Sequence, residues 1–419
     1  MFENVTKLLN SCPCGRKHSL LTDECVVADD AALHMKDYIA KRGFKNPVIL
    51  CDDNTRKFTG DLADITTTVF AVPGNAHATE VYSAQAIDFV KASGADVLIA
   101  VGSGSLHDIT RYAAFDTKVP FISYPTAASV DGFVSGVAAM TWYGQKLTFE
   151  SAPPIAVFAV PDVFCTAPTR LTASGVGDVI GKYTSLFDWK AAEILTGEYR
   201  CPGICGLEYE AIDAVCDAIK ARSPETEREY TIKVMEALLL SGLAMQLTGN
   251  SRPASGAEHH MSHLWEMCCI NEDSDALHGE KVGVGLLYVL REYHRYLKND
   301  INADKIAAID VAKVFDRAHI EAAYGTLTDV TLKENLPKGK SSLEDIKVTA
   351  DTVPAILEAA KSLPTAEEAE ALLKAAGAPV SNEEINLPYD EAFIEKTLTY
   401  APYVRNRLTL LKVIQASKL

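Results

Sequence analysis

The sequence of 419 residues predicts a two-part α/β protein, in which a mostly parallel sheet with helices on its faces is followed by an all-helical region. Three observations carry that prediction. Between Asn46 and Ala159, short apolar runs alternate with amphipathic segments, and near-continuous apolar strands separated by helices suit a parallel sheet buried on both faces. Beyond Pro161 the pattern changes to long helical periodicities. Finally, 419 residues exceed what one hydrophobic core usually supports, while 48% hydrophobic residues supply material for two.

The predicted strands are Val48 to Cys51, Thr68 to Val72, Asp96 to Val101, Val119 to Tyr124 and Ile155 to Val160. Between the second and third, Ala78 to Ser93 spaces Val81, Ala84, Ile87 and Val90 at helical intervals and stops at Gly94. Val137 to Ser151 breaks the rhythm, because two β-rich arms around Tyr143-Gly144-Gln145 read as a hairpin. Pro161, Pro168 and the polar residues near them place a boundary at about Thr166, with an α/β domain over residues 1–165 and a helical domain over 166–419. In the latter, a helix is expected to begin at Ser174, and others cover Ile232 to Leu247, Val282 to Leu297 and Val353 to Leu363. Asn335 to Glu344, rich in Pro, Lys and Ser, reads as an exposed loop.

A formal net charge of −16 argues against nucleic acid or an anionic membrane as the main partner. The start of the chain lacks a basic segment followed by an apolar core, and no run of about 18 uninterrupted apolar residues occurs, so a cytoplasmic protein without membrane insertion is expected. Ten cysteines in this length do not have the density of a secreted disulfide scaffold, and they read as mostly reduced. Cys12-Pro-Cys14-Gly-Arg-Lys-His18 offers two thiols and an imidazole. However, Cys-x-Cys is tighter than the usual zinc spacing and the sequence shows no fourth ligand nearby, so no metal is expected there.

The third strand runs straight into Gly102-Ser-Gly104-Ser105-Leu106-His107-Asp108, after which a helix starts. Glycines let a backbone approach a pyrophosphate, and a helix N-terminus offers it unpaired N–H groups. The match to a Rossmann-like dinucleotide loop is partial, since His107 stands where a third glycine belongs. The next strand end, Pro125-Thr126-Ala127-Ala128-Ser129-Val-Asp131-Gly-Phe-Val-Ser135, should lie beside it and supply hydroxyls from Thr126, Ser129 and Ser135. Asp52, at the first strand's end, is placed either on an adenosine ribose diol or in a surface turn.

In the helical half, Asp178 follows Gly175-Val-Gly177 early in its expected helix, where it is either a capping carboxylate or a ligand. Lys182 and Ser185 share its face. His259 and His263 lie four residues apart on one helix face, while His260 points about 100° away from His259. His278 precedes the apolar helix that runs from Gly283. One carboxylate and two neutral imidazoles suit a borderline divalent ion with positions left open for a substrate oxygen.

With Ser251-Arg252-Pro-Ala-Ser-Gly-Ala-Glu-His259 followed by Ser262-His263, the chain resembles the sn-glycerol-1-phosphate dehydrogenase family, in the group that includes glycerol dehydrogenases, iron-dependent alcohol dehydrogenases and dehydroquinate synthases. The resemblance runs from Asp52 through Leu290. It implies a Rossmann-like dinucleotide-binding domain, a helical metal- and substrate-binding domain and an active site in the cleft between them. It further implies that Gly104, Ser105, Leu106, His107, Asp108, Thr126, Ala127, Ala128 and Ser129, with Asp52 and Ser135, hold NAD or NADP. Asp178, His259 and His278 correspond to ligands of one divalent metal (zinc, nickel or iron). Asp131, His263 and Asp178 correspond to substrate contacts, and all three are expected to be catalytic.

The activity implied is reduction of dihydroxyacetone phosphate to sn-glycerol 1-phosphate, a small phosphorylated polyol, by a homodimer. Arg252 and Lys182 are each either candidates for the substrate phosphate or members of structural salt bridges. The alternatives are a glycerol dehydrogenase acting on the unphosphorylated polyol and a dehydroquinate synthase-like lyase.

Overall fold

The structure, a computed structural model, describes residues 2–143 and 145–419. It divides into two compact units, Met1–Gly175 with Asp213–Gly249, and Val176–Ile212 with Asn250–Leu419. The units are interleaved along the chain where the sequence suggested a single cut near Thr166. Helical periodicity locates a helix without saying which core it joins.

Among the described residues, the first unit holds eight strands: β1 (Glu24–Val27), β2 (Pro47–Asp52), β3 (Val69–Val72), β4 (Val97–Gly102), β5 (Phe121–Pro125), β6 (Val137–Trp142), β7 (Gln145–Glu150) and β8 (Ala156–Ala159). Six form a wholly parallel sheet in the order β1-β8-β5-β4-β2-β3. Alternate residues feed opposite faces. Ile49, Cys51, Ile99 and Val101 pack with Met35 and Tyr38 of α2 (Ala31–Arg42), while Val48, Leu50, Leu98 and Ala100 pack with Ala86 and Val90 of α3 (Glu80–Ser93) and Ile109 and Ala113 of α4 (Gly104–Thr117). Burial on both faces is why these strands read as apolar runs. The edge strand β1 is the one the apolar pattern did not reveal, and all four of its residues are only partly buried. β6 and β7 pair antiparallel as the expected hairpin, with Trp142 opposite Gln145; its turn residue Gly144 lies outside the described residues.

An N-terminal helix, α1 (Phe2–Asn10), leads into β1 by way of residues 11–23. After β8, every regular element among the described residues is helical: a short α5 (Pro161–Phe164), then α6 (Thr169–Ile180), α7 (Lys182–Thr196), α8 (Pro202–Lys220), α9 (Glu227–Thr248), α10 (Ala257–Glu266), α11 (His278–Asn299) and further short helices, ending with Leu410–Ala416. α9 is the one described helix long and apolar enough to cross a membrane, but its apolar window is 67% buried within the protein. It belongs to the first unit's core. A Cβ on Gly242 would come 2.1 Å from Val134 and 2.7 Å from the Asp131 carbonyl, so α9 seats directly against the 3-10 turn Asp131–Val134. Gln246 of α9 also donates to the Val134 carbonyl at 2.7 Å. From the other side, the buried Arg111 of α4 donates to the Gly132 and Val137 carbonyls.

Candidate active site

The carboxyl ends of β2, β4 and β5 meet in the first unit. Gly102 pairs with Pro125, Thr126 N–H donates to the Gly102 carbonyl at 3.0 Å, and the Thr55 hydroxyl donates to the Val101 carbonyl at 2.8 Å. α4 begins at Gly104 directly after β4, and among the described residues no side chain caps its first turn. The N–H groups of Gly104, Ser105 and Leu106 precede the first residue able to bond back within the helix, and the helix dipole adds partial positive charge there. This is an arrangement suited to a pyrophosphate.

The two loop glycines answer to different demands. A Cβ on Gly102 would sit 2.3 Å from the Leu106 side chain, whereas one on Gly104 would meet nothing nearer than Val130 at 3.5 Å. The fold therefore needs glycine at 102 and tolerates a methyl at 104.

Other residues of this region are engaged by the protein itself. The His107 ring is buried, with Nδ1 3.0 Å from the Ser103 carbonyl and Nε2 2.7 Å from the Ser123 hydroxyl, and it meets Phe133 edge-on. Burial, aided by Arg111, lowers its pKa to about 3, so it stays neutral and ties the first turn of α4 to β5. Asp108 lies 3.7 Å from Arg111. Asp52 accepts from the Thr55 N–H at 2.9 Å and hydroxyl at 3.1 Å, the turn geometry weighed for it from sequence. The Ser135 hydroxyl bonds the Val137 backbone, while Thr126, Ala127, Ala128 and Ser129 are buried beside the glycine loop. Asp131 accepts from the Ser241 hydroxyl of α9 at 3.1 Å.

In the second unit, Asp178 occupies the last turn of α6 and not the first turn of a helix beginning at Ser174. α6 starts earlier, at Thr169 just after Pro168, which removes the capping explanation. A carboxylate near a helix C-terminus is disfavoured by the macrodipole, and this one is fully buried. Lys182, the first residue of α7, compensates: its Nζ is 2.6 Å from Asp178 Oδ1, with both side chains fully buried. Burial pushes the Asp178 pKa up, but Lys182 first, with the neighbouring His259 and His278, holds it well below the ordinary carboxylate range. Glycines permit this density. A Cβ on Gly177 would lie 2.2 Å from the Gly279 carbonyl of α11, and one on Gly181 would lie 2.7 Å from Val282.

His259 Nε2 lies 3.5 Å from Asp178 Oδ1, and the His259 and His278 rings are 5.3 Å apart. Asp178, His259 and His278 each present one ligand atom, and these atoms all lie within 4.8 Å of one another. Both imidazoles are oriented by carboxylates: His259 Nδ1 is 2.8 Å from Glu258, and His278 Nδ1 is 2.9 Å from Glu266. An acceptor at Nδ1 fixes the proton there and leaves the Nε2 lone pair for a cation, the carboxylate–histidine pairing typical of metal sites. The chemistry of this donor set fits a borderline divalent metal. The other oxygen of Glu266 lies 3.1 Å from His263 Nδ1, so one carboxylate orients two rings.

Glu258 and Glu266 were not singled out in the sequence, although a trace of them is there. Glu266 follows His263 by three residues, which puts both on one face of α10. His260 points elsewhere: it is fully buried, and among the described residues neither ring nitrogen has a hydrogen-bond partner. Burial, with Arg407 and Lys412 nearby, holds its pKa well below the usual histidine range. Arg252 is buried, with its fork on Glu198 and Nη1 on the Leu408 carbonyl at 2.7 Å. Beneath α10, Asp188 of α7 accepts from Ala257 N–H at 2.9 Å, Tyr293 hydroxyl at 2.7 Å and Leu410 N–H at 2.8 Å. Burial, and then the like charge of Glu258, raise its pKa to about 7.

Residues 26–168 match the family described as iron-containing alcohol dehydrogenase. The chain is 33% identical over 422 residues to the glycerol-1-phosphate dehydrogenase [NAD(P)+] of Bacillus licheniformis, covering 98% of this chain and 93% of that protein. It is 32% identical to the protein of the same name from Geobacillus thermodenitrificans, covering 98% and 96%. Among solved structures, the maleylacetate reductase of Rhizobium sp. strain MTP-10005 superposes with a TM-score of 0.63 at 15% identity, covering 96% of each chain, a likeness of fold.

Two outcomes follow from the geometry. Gly104→Ala should leave thermal stability unchanged or slightly raised, since alanine is favoured over glycine inside a helix by about 0.5–1 kcal/mol, while weakening dinucleotide binding at least about tenfold by titration. The second concerns Asp188. Its folded pKa of about 7 exceeds the unfolded value of about 3.9, so its contribution to stability is fully present below the unfolded value and is lost as pH rises through the folded one. Asp188→Asn, which cannot titrate and loses one acceptor, should be the less stable protein at pH 5. Its deficit in urea midpoint should narrow toward pH 8; a constant deficit would show that Asp188 is ionised throughout.

Proposed function

This chain belongs to the glycerol-1-phosphate dehydrogenase family, within the iron-containing alcohol dehydrogenase group, and on that premise we propose that it interconverts dihydroxyacetone phosphate and sn-glycerol 1-phosphate with NAD or NADP and one divalent metal. The observation that carries this reading is the Asp178, His259 and His278 set, whose imidazoles are oriented by Glu258 and Glu266. Those three side chains are proposed to hold the metal, which when bound would act as a Lewis acid on the substrate's carbonyl oxygen. Zinc, nickel and iron all suit one carboxylate with two imidazoles. The dinucleotide supplies the hydride. It is assigned to Gly104–Asp108, Thr126–Ser129, Asp52 and Ser135, with the uncapped first turn of α4 as the pyrophosphate contact.

Around those groups the protein's own residues do four things. Lys182, fully buried like Asp178, balances its charge and keeps the carboxylate ionised. His263 is neutral at physiological pH, because burial outweighs Glu266 and brings its pKa to about 4. With Nδ1 held by Glu266, its Nε2 can accept a hydrogen bond from a substrate hydroxyl and relay a proton. Asp131 is assigned to a substrate hydroxyl. Phosphate contacts by Arg252 and Lys182 would be made alongside their bonds to Glu198 and Asp178, so losing either side chain should register in stability as well as in KM. We place the enzyme in the cytoplasm as a homodimer.

The assay is NAD(P)H oxidation by the purified chain with zinc, nickel or ferrous ion, on dihydroxyacetone phosphate and on free dihydroxyacetone. The expected result is a kcat/KM at least about tenfold higher for the phosphorylated ketone, a difference of about 1.4 kcal/mol in transition-state binding. Equal rates would make it a glycerol dehydrogenase, and no oxidation of either cofactor would remove the dehydrogenase reading.

A further inference from the structure

The segment between α1 and β1 contains a cluster that the proposed reaction does not use. Ligand atoms of Cys12, Cys14 and His18 lie within 4.8 Å of one another, and Cys14 Sγ is 3.3 Å from His18 Nε2. The tight Cys-x-Cys spacing argued against a metal here, but the fold overrides it. Gly15 adopts φ 75°, its N–H closes on the Cys12 carbonyl at 3.0 Å, and the chain turns back so that His18 meets the thiols. Two thiolates on one tetrahedral zinc sit about 3.8 Å apart, and a thiolate and an imidazole about 3.6 Å apart, from bond lengths of about 2.3 and 2.05 Å. The cluster has that scale.

Two details point to a cation and not to chance proximity. His18 Nδ1 is 2.8 Å from the Leu247 carbonyl at the end of α9, so its proton is fixed there and Nε2 faces Cys14 as a lone-pair donor. The Arg16 N–H donates to Cys14 Sγ at 3.4 Å, a contact that favours the thiolate. We propose that Cys12, Cys14 and His18 bind a structural zinc ion, separate from the metal held by Asp178, His259 and His278. Soft thiolates with an imidazole select zinc over the hard divalent cations. The ion would fasten the N-terminal segment to α9, where Gln246 already accepts from the Leu21 N–H at 3.0 Å and donates to the Thr22 hydroxyl at 2.8 Å.

The test is elemental analysis of the full chain, expressed with zinc and dialysed against a mild chelator. An Asp178→Asn, His259→Ala double variant should keep one equivalent of zinc, and adding Cys14→Ser should remove it. A double variant holding no zinc, or a triple variant that still holds it, overturns the proposal. Should the triple variant fold poorly, cobalt substitution of the double variant decides: intense near-ultraviolet thiolate-to-cobalt charge transfer is expected. Its absence would leave Cys14 and His18 as no more than a hydrogen-bonded pair.

Discussion

A carboxylate buried without any solvent exposure dictates the architecture of the second unit. Asp178 lies at the wrong end of a helix for its charge and out of contact with water, so it persists as an anion only because the Lys182 ammonium and two imidazoles converge on it. Lys182 on α7, His259 on α10 and His278 on α11 come from three different helices. Their meeting requires those helices to approach α6 closely, and Gly177 and Gly181 permit it where any side chain would collide. The site and the packing are therefore one requirement.

The next layer explains why two histidines act as acceptors here. Glu258 and Glu266 occupy the Nδ1 positions and hold the rings in one tautomer, and their own charges are sustained against burial by those same hydrogen bonds. α10 in turn rests on Asp188, which binds its first N–H and links it to α11 through Tyr293. A displacement of α10 would disturb the orientation of three imidazoles at once. This coupling accounts for a dense network of buried polar groups beneath a site that uses few of them directly.

Much of this was legible in the sequence, and what was not has physical reasons. Strands β2, β4, β5 and β8 stood out because both their faces are buried, whereas β1, at an edge, lacks that pattern. Glycines and a histidine-rich helix draw attention to the region of Asp178, His259 and His278, and the family resemblance picks out those three. The start of α6 was misplaced because Pro168 was read as a break when it stands just before a first turn. Glu258 and Glu266 carry no mark of their role in the sequence, because it depends on packing: Glu258 is buried against Thr184 of α7, and Glu266 meets His278 of α11. The structural part that His107 plays in the glycine loop is not legible, because the Ser123 hydroxyl that donates to its Nε2 comes from the adjacent strand. The proximity of Cys12, Cys14 and His18 is hidden by their spacing along the chain, because it depends on a left-handed turn at Gly15.

Asp178, His259 and His278 are proposed together to hold the catalytic metal. Anomalous diffraction from crystals grown with zinc or nickel tests this most directly. The expected result is a peak about 2.0–2.2 Å from Asp178 Oδ1, His259 Nε2 and His278 Nε2. A peak instead among His263, Glu266 and His278, whose ligand atoms are also within 4.8 Å of one another, would contradict it.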